Sequence, residues 1–372
     1  MGLVVAALVL GLVEAVARTL AGAPTPPLSA TVIDDGSDWF ELDGDLVRAP
    51  YQQSFERDPV PMHPGERPRV IWLGGSSVRG GDGRTPLGQE AASILPERVE
   101  VESVNLAAPG LDSGHLVAML PEVLSLEPDI LILYVGHNDL GNLSFQTRFS
   151  DSRTVWAARI RGVLSHSRAF ELLDASVATL SPEPGPPPGT PKAAFDAHQR
   201  AAAHADFEIN LRWIVRAAHD NGTEVVLVTP MSNPLAPPVL WSCADQHQLP
   251  RPPITAQLHH IPEHIPDTDC ADFAWMRGMV AVRDGDMETA ARQFDHFRDI
   301  DPTPLRADSM MPEIMRRVAA SEGAVLVDVA ALAKEEGNGI EPPHFFSDPV
   351  HLTPQGHRFV ADQVAPAVQA LL

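Results

Sequence analysis

Two separated segments of the sequence combine residue types that can carry out nucleophilic chemistry. Ser76 follows two glycines in a short glycine- and serine-rich turn, and Asp348 and His351 stand three residues apart near the C-terminus. A histidine can act as a general base toward a serine hydroxyl, while a neighbouring aspartate orients its ring. Each segment alone is weak evidence, because glycine-rich turns and Asp-x-x-His pairs are common.

Two further segments place polar groups or glycine at turns. One is the stretch 105–110, which ends in Pro109-Gly110, and the other is 136–139, which contains Asn138. An asparagine at such a position can direct its amide N–H toward an oxyanion that develops during a reaction. The alternative is ordinary turn chemistry, which Asn and Asp favour in any case.

The four segments are predicted to follow regular elements. Short apolar runs predict strands at 69–74, 99–105, 129–135, 223–229 and 324–329. Helical stretches are expected at 113–126, 193–219 and 354–372, the last with Thr353 as its N-cap and Pro354 at its first position. This alternation predicts a three-layer α/β/α fold with a parallel sheet. Ligands bind at the carboxyl ends of the strands in such sheets.

The order of the four segments resembles that of the SGNH/GDSL hydrolase family. The chain has a Ser after the first strand, a Gly after the second, an Asn after the third and Asp-x-x-His before the last helix. The resemblance covers about residues 66–145, 193–230 and 322–372. It implies the three-layer fold, serine-dependent ester chemistry and no cofactor or metal. It also implies the site roles: Ser76 as nucleophile, His351 as base, Asp348 as its orienter, and Ser76, Gly110 and Asn138 as oxyanion donors.

The sequence departs from the family pattern at the position before the serine. The family often has Gly-Asp-Ser where this chain has Gly74-Gly75-Ser76, although some members carry Gly-Gly-Ser. Ser77 is a rival nucleophile, and Ser76 is preferred because it keeps the two-residue step from Gly74. The turn lacks both the second glycine of a G-x-S-x-G elbow and the Gly-Lys of a phosphate-binding loop.

Several functions agree with this pattern. The first is hydrolysis of a carboxyl ester or an O-acyl ester, whose substrate would be an acylated glycan, a lipid or a small ester. The second is O-acyl transfer to a glycan of the cell envelope, and the third is a non-catalytic interaction scaffold. A phosphate-ester enzyme is disfavoured, because the lysine and metal-binding carboxylates of phosphoryl transfer are missing.

The catalytic region is predicted to span 67–372 and to contain two insertions. Residues 146–192 read as a helical stretch with a proline-rich linker, and 231–307 as a long loop followed by a helical hairpin. The hairpin resembles one tetratricopeptide unit in its positions Trp275, Gly278, Gly285, Asp286, Ala290, Phe294 and Pro302. Residues 271–300 would bind a protein partner or form a plain hairpin packed on the main domain.

The N-terminal segment 1–23 is apolar enough to suggest a membrane anchor, followed by a connector at 24–66. A signal peptide and an ordinary buried helix are the alternatives, and the missing basic n-region disfavours the first. An anchor would place the protein outside the cytoplasm, facing the periplasm or cell envelope. The net charge of −22 argues against nucleic-acid binding.

Cysteines and histidines outside the four segments give weaker signals. Cys243 and Cys270 would form one disulfide if the chain is exported, or remain two thiols. His259, His260, His264 and His344 could suggest a metal site, but no three of them share a predicted regular element. We therefore expect these histidines to be solvated.

Overall fold

A parallel sheet forms the centre of the protein, as seen in a computed structural model. The structure describes residues 11, 13, 15, 16, 19, 41–43, 45–48, 60–80, 86, 88–145, 197–239, 241–249, 261–262 and 264–372. Within these residues the central sheet has five strands, β4 (Arg69–Gly74), β5 (Glu102–Asn105), β6 (Ile130–Tyr134), β7 (Glu224–Val228) and β8 (Val325–Val327). Their order across the sheet is β5-β4-β6-β7-β8.

The strand sequences explain why the sheet is buried. All five residues of β6, Ile-Leu-Ile-Leu-Tyr, are buried, as are all six of β4. Strands that are apolar on both faces are typical of parallel sheets covered by helices on both sides. The register pairs Gly74 with Tyr134, and a Cβ atom at position 74 would lie 2.2 Å from the Tyr134 carbonyl oxygen. Only glycine permits this close approach at the end of β4.

Helices cover the sheet on both faces. The long helices are α3 (Ser113–Leu124), α4 (His137–Phe145), α5 (Ala197–Asp220), α7 (Ala271–Asp284), α8 (Met287–Ile300), α9 (Met310–Glu322), α10 (Val329–Glu336) and α11 (Pro354–Leu371). Short helices are α1 (Ser76–Arg79), α2 (Ala91–Ile94) and α6 (Ser242–Gln246). Apolar residues of α3, α5 and α9 pack on one face of the sheet, and those of α2, α10 and α11 on the other. The predicted three-layer α/β/α fold is confirmed.

The start of β5 and the connector are among the stretches that differ from the sequence-based expectation, as is the helix α6 (Ser242–Gln246) within the predicted long loop. Strand β5 begins at Glu102, because the preceding residues form a turn in which the N–H of Val99 donates to the carbonyl of Leu95. Within the connector predicted at 24–66, β1 (Glu41–Asp43), β2 (Leu46–Arg48) and β3 (Val60–Pro61) form a small antiparallel sheet. Strands of two or three residues are too short to show a periodic pattern, so the sequence did not predict them.

The helices α7 and α8 form a hairpin around Gly285, which has a φ of +79°. A Cβ atom on Gly278 would lie 2.6 Å from the Phe294 ring, so this glycine allows the two helices to approach closely. Trp241 and Trp275 meet edge to face in the same apolar cluster. The likeness to a tetratricopeptide unit and the binding of a partner there stay predictions.

The two remaining segments lie largely or wholly outside the described residues. The anchor predicted at 1–23 is described at only a few positions, and the insertion predicted at 146–192 is not described. Among the helices in the described part of the chain, none has the length and apolarity needed to cross a bilayer. The membrane anchor and the extracytoplasmic location stay predictions.

Candidate active site

Ser76 is the first residue of α1 and directly follows the turn at the end of β4. The N-cap residue Gly75 is extended, with a φ of −85° and a ψ of −167°. This sharp change from strand to helix leaves the Ser76 side chain half-buried, whereas the neighbouring Ser77 is 3% exposed. The Ser76 Oγ lies 2.8 Å from Nε2 of His351, so the structure joins the histidine to Ser76.

His351 and Asp348 are paired through the other ring nitrogen. Nδ1 of His351 lies 2.7 Å from Oδ2 of Asp348. A carboxylate can only accept a hydrogen bond, so Nδ1 donates to it. A neutral ring with its proton on Nδ1 presents an unprotonated Nε2 to the Ser76 hydroxyl, which is the arrangement that a general base requires.

The Asp348 carboxylate is held in its ionised form. Its Oδ1 accepts the backbone N–H groups of Val350 (3.0 Å) and His351 (2.9 Å). Partial burial by itself would raise the pKa of Asp348, but the hydrogen bonds from the His351 ring and from these N–H groups outweigh it. The pKa of Asp348 consequently lies well below its ordinary value.

The loop that carries this pair is closed on itself before α11 begins. The N–H of Ser347 donates to the carbonyl of His351, and Phe346 forms an isolated bridge with Leu352. Thr353 then caps α11 by accepting the N–H of Gly356 at 3.3 Å. The predicted cap thus fixes where the loop ends and the helix starts.

Asn138 lies over the turn that precedes Ser76. Its Nδ2 donates to the carbonyl of Leu111 at 2.8 Å. A Cβ atom on Gly75 would lie only 2.5 Å from the same nitrogen, so glycine at 75 makes room for the amide. An amide nitrogen has two N–H donors. The bond to Leu111 uses one of them and fixes the plane of the amide.

Gly110 reaches the same region from the turn after β5. Its φ of +79° is a conformation that favours glycine, and its carbonyl accepts Nδ2 of Asn142 at 2.8 Å. Neither its N–H nor that of Ser76 donates to another residue in the part of the chain that the structure describes. Both N–H groups thus have no hydrogen-bond acceptor among the described residues.

A buried polar network supports the Gly110 turn. Asp112 caps α3 by accepting the N–H of His115 at 3.0 Å, and it also accepts the Asn142 amide at 2.8 Å. Asp139 Oδ1 accepts the N–H of Ser113 at 3.0 Å. Burial, and then the charge of Asp112, raises the pKa of Asp139 to about 7. One carboxyl of this pair is therefore favoured in its neutral form.

The structure brings Ser76, His351 and Asp348 together, and it places Asn138 beside Gly75 and Asn142 at the Gly110 carbonyl. Sequence reasoning missed Asn142, which holds the Gly110 carbonyl, and Asn233, which contacts the loop of Asp348. A signal for Asn142 was its position four residues after Asn138, on the same helix face. Of the histidines considered for a metal, His264 and His344 are exposed, and His259 and His260 lie outside the described residues.

Cys243 and Cys270 are joined in a disulfide, which resolves the two alternatives for these residues. Together with Asp272 they are the one group of metal-ligand type found among the described residues. Asp272 Oδ2 already accepts the N–H groups of Cys243 (3.0 Å) and Ala244 (2.8 Å). The group thus ties α6 to α7, and this role accounts for its contacts.

Comparison with known proteins gives similarities in structure only. No protein-family model matches the sequence, and neither does any curated protein. The acetyl xylan esterase AlAXEase is 17% identical, with 81% of this chain and 99% of that chain covered and a TM-score of 0.40. A catalytic mutant of Axe2, an acetylxylan esterase from Geobacillus stearothermophilus, is 14% identical, with coverage of 82% and 95% and a TM-score of 0.41.

A GDSL-like lipase from Bacteroides thetaiotaomicron is also similar. It is 11% identical, with 82% of this chain and 89% of that chain covered and a TM-score of 0.41. These similarities concern the overall path of the chain. What the site can do follows from its own geometry.

Proposed function

We propose that this protein is a serine hydrolase that cleaves ester bonds, with Ser76 as its nucleophile. The observation that carries the proposal is the continuous contact from hydroxyl to carboxylate. The Ser76 Oγ is 2.8 Å from Nε2 of His351, and Nδ1 of the same ring is 2.7 Å from Asp348. A nucleophile and a base within hydrogen-bond reach, with the base oriented by a third group, are the requirements for nucleophilic catalysis.

In the first half of the reaction, Ser76 is acylated. His351 Nε2 takes the hydroxyl proton as Oγ forms a bond to the acyl carbon, and the ionised Asp348 stabilises the imidazolium. The carbonyl oxygen becomes an oxyanion that accepts hydrogen bonds from the N–H groups of Ser76 and Gly110 and from the Asn138 amide. The imidazolium then gives its proton to the alkoxide leaving group as the ester C–O bond breaks.

In the second half, water releases the acyl group. His351 takes a proton from water, whose oxygen attacks the acyl carbon, and the proton then returns to Ser76 Oγ as the acid leaves. A hydroxyl of a sugar could replace water in this step, which would make the reaction an acyl transfer. We propose hydrolysis and not transfer, because water can react without a dedicated binding site, whereas a sugar acceptor would need one.

Labelling with a fluorophosphonate tests the assignment, because this probe reacts with activated serine hydroxyls. We expect the full chain and its Ser77→Ala variant to be labelled, and the folded Ser76→Ala variant to remain unlabelled. The same three proteins should show the same order in hydrolysis of an activated short-chain ester. Ser77→Ala is the matched control, since it removes the neighbouring hydroxyl and leaves the contact with His351 in place.

Two results would contradict the proposal. Labelling that is lost in Ser77→Ala and kept in Ser76→Ala would move the nucleophile to the neighbouring residue. A folded protein that reacts with no fluorophosphonate and hydrolyses no activated ester would favour the non-catalytic scaffold.

A further inference from the structure

A short segment after β7 connects the helical hairpin with the loop that carries the proposed base. This connecting segment comprises residues 231–237, and Asn233 is its point of contact with the loop. The N–H of Asn233 donates to the carbonyl of Pro349 at 2.9 Å, and its Nδ2 donates to the carbonyl of Asp348 at 3.3 Å. Main chain and side chain of one residue thus hold two consecutive carbonyl groups of the loop.

Arg306, which follows the hairpin, holds the connecting segment from its other side. Its Nη1 donates to the carbonyls of Asn233 (3.0 Å) and Ala236 (3.1 Å), and its Nη2 donates to that of Pro237 (3.3 Å). The side chain is 1% exposed, and its guanidinium lies 4.9 Å from the ring centroid of Phe297. A buried planar guanidinium that binds three carbonyls fixes their relative positions, because its donors form a rigid fork.

The start of the connecting segment is fixed as well. The N–H of Met231 donates to the Tyr134 hydroxyl at 3.0 Å, at the end of β6. Arg298 on α8 donates to the hydroxyl of Ser232 at 2.8 Å. The segment is therefore attached to the central sheet, to the hairpin and to the Asp348 loop over only a few residues.

We propose that Asn233 and Arg306 are positioning residues that hold the loop of Asp348 and His351 in register with Ser76. The inference rests on the proposed function, since it assigns a role in the same reaction. Asn233 bonds to main-chain carbonyls of the loop, and Arg306 bonds to those of the connecting segment, so their effect acts through main-chain positions. A misplacement of about 1 Å at a reacting group can cost about 100-fold in rate. Arg306 also places a positive charge near Asp348, which favours the ionised carboxylate.

Asn233→Asp is the most direct test of this role. The change keeps an oxygen that can accept the N–H of Leu235, now 3.1 Å from the Asn233 side chain. It replaces the donor to the Asp348 carbonyl with a second oxygen, which repels that carbonyl. We expect kcat for an activated short-chain ester and the rate of fluorophosphonate labelling each to fall about 10-fold or more. KM should change little, because the substrate's own contacts are untouched.

Asn221→Asp is the matched control. Its Nδ2 also donates to a main-chain carbonyl, that of Ala217, at 2.8 Å, but on the exposed surface at the end of α5. The control should keep the wild-type kcat. The split between kcat and KM is the readout that a merely structural role would not move, because Asn233 is argued to position the base and not to bind substrate.

The outcomes separate the positioning role from the proposed function. If the wild-type protein is labelled at Ser76 and folded Asn233→Asp keeps wild-type kcat and labelling rate, the positioning role is wrong and the hydrolase proposal stands. A lower melting temperature with unchanged kcat also overturns it, since that is a structural role only. If Asn233→Asp does not fold, two other variants decide the question by the same readouts. Asn233→Ala removes the donor without adding charge. Arg306→Lys keeps the positive charge but lacks the planar fork of donors. If the wild type is not labelled at Ser76, the proposed function itself fails.

Discussion

Gly75 shows how one residue type determines the geometry beside the proposed nucleophile. The amide nitrogen of Asn138 occupies the space that a Cβ atom on Gly75 would need, at a separation of 2.5 Å. Contacts this short between non-bonded atoms are not tolerated, so any larger residue must displace the amide. In this chain, the Asn138 amide thus occupies the space that the side chain of the usual Asp in Gly-Asp-Ser would need.

We predict that Gly75→Ala lowers turnover by displacing the Asn138 amide. Removing one oxyanion donor typically costs about 100- to 1,000-fold in kcat, and a displaced donor should approach the lower figure. Steady-state hydrolysis of an activated ester measures the loss, and circular dichroism checks the fold. Gly65→Ala is the control, because a Cβ atom there would meet nothing within 4 Å. Wild-type kcat in Gly75→Ala would show that Asn138 is not needed in its present position.

The five proposed site residues could be found from the sequence, but most of their supports could not. Their types and order along the chain form a recognisable pattern, with each residue at the end of a predicted element. Asn142 and Asn233 contact main-chain carbonyls 32 and 115 residues away, respectively. An asparagine that bonds to a distant carbonyl leaves no periodic or local signal, so only the folded structure identifies it.

At the scale of elements, α3 and α4 meet through a pair of buried carboxyl groups. Asp112 at the start of α3 is 1% exposed and Asp139 in the first turn of α4 is 6% exposed. Burial raises the pKa of Asp112, whereas the hydrogen bonds from His115 and Asn142 lower it. The hydrogen bonds outweigh burial, so the pKa of Asp112 lies below its ordinary value. The charge stays on Asp112, and Asp139 retains its proton to higher pH.

We predict that this pair makes the stability of the protein depend on pH. An unfolded aspartate ionises near pH 4, whereas the pKa of folded Asp139 is about 7. Below about pH 4, Asp139 is protonated in both the folded and the unfolded protein. Between about pH 4 and its folded pKa of about 7, Asp139 is protonated only in the folded protein. The free energy of unfolding should therefore decline as the pH rises through this window.

Asp139→Asn should remove that decline, because an amide cannot ionise and its oxygen can still accept the N–H of Ser113. Urea unfolding across the pH window measures the effect, with the exposed Asp220→Asn variant as control. An equal pH slope in Asp139→Asn and in the wild type would show that Asp139 is ionised throughout.

The strands were predictable where an uninterrupted run of apolar residues covers most of the element. The predicted strand at 69–74 matches β4, and those at 129–135 and 223–229 contain β6 and β7. The strand predicted at 99–105 was too long at its start, because Val99 and Val101 are buried in a turn rather than in the sheet. Burial of a valine requires an apolar contact and does not require a strand, so the pattern alone could not place this boundary.

At the scale of the whole molecule, distant parts of the chain converge at one edge of the sheet. Ser76 and His351 are 275 positions apart, yet their side chains are within hydrogen-bond distance. The parallel order β5-β4-β6-β7-β8 accounts for this, because the turns after β4, β5 and β6 emerge at the same edge. The sequence predicted this convergence through the fold class.

The docking of the hairpin was not predictable in the same way. Its resemblance to a tetratricopeptide unit predicted two helices but contained no information about which surface they cover. In the structure, Arg298 and Arg306 direct its contacts toward the connecting segment at 231–237. These are buried charged groups that bond to carbonyl and hydroxyl oxygens, and sequence patterns do not distinguish such arginines from exposed ones. The insertion is thus part of the framework around the proposed site.

A crystal structure of the protein after reaction with a fluorophosphonate would test the central claim most directly. The account predicts a covalent bond between phosphorus and the Ser76 Oγ. It also predicts a phosphoryl oxygen about 3 Å from the N–H groups of Ser76 and Gly110 and from the Asn138 amide. An adduct on another residue, or a phosphoryl oxygen turned away from these three donors, would contradict the proposed active site.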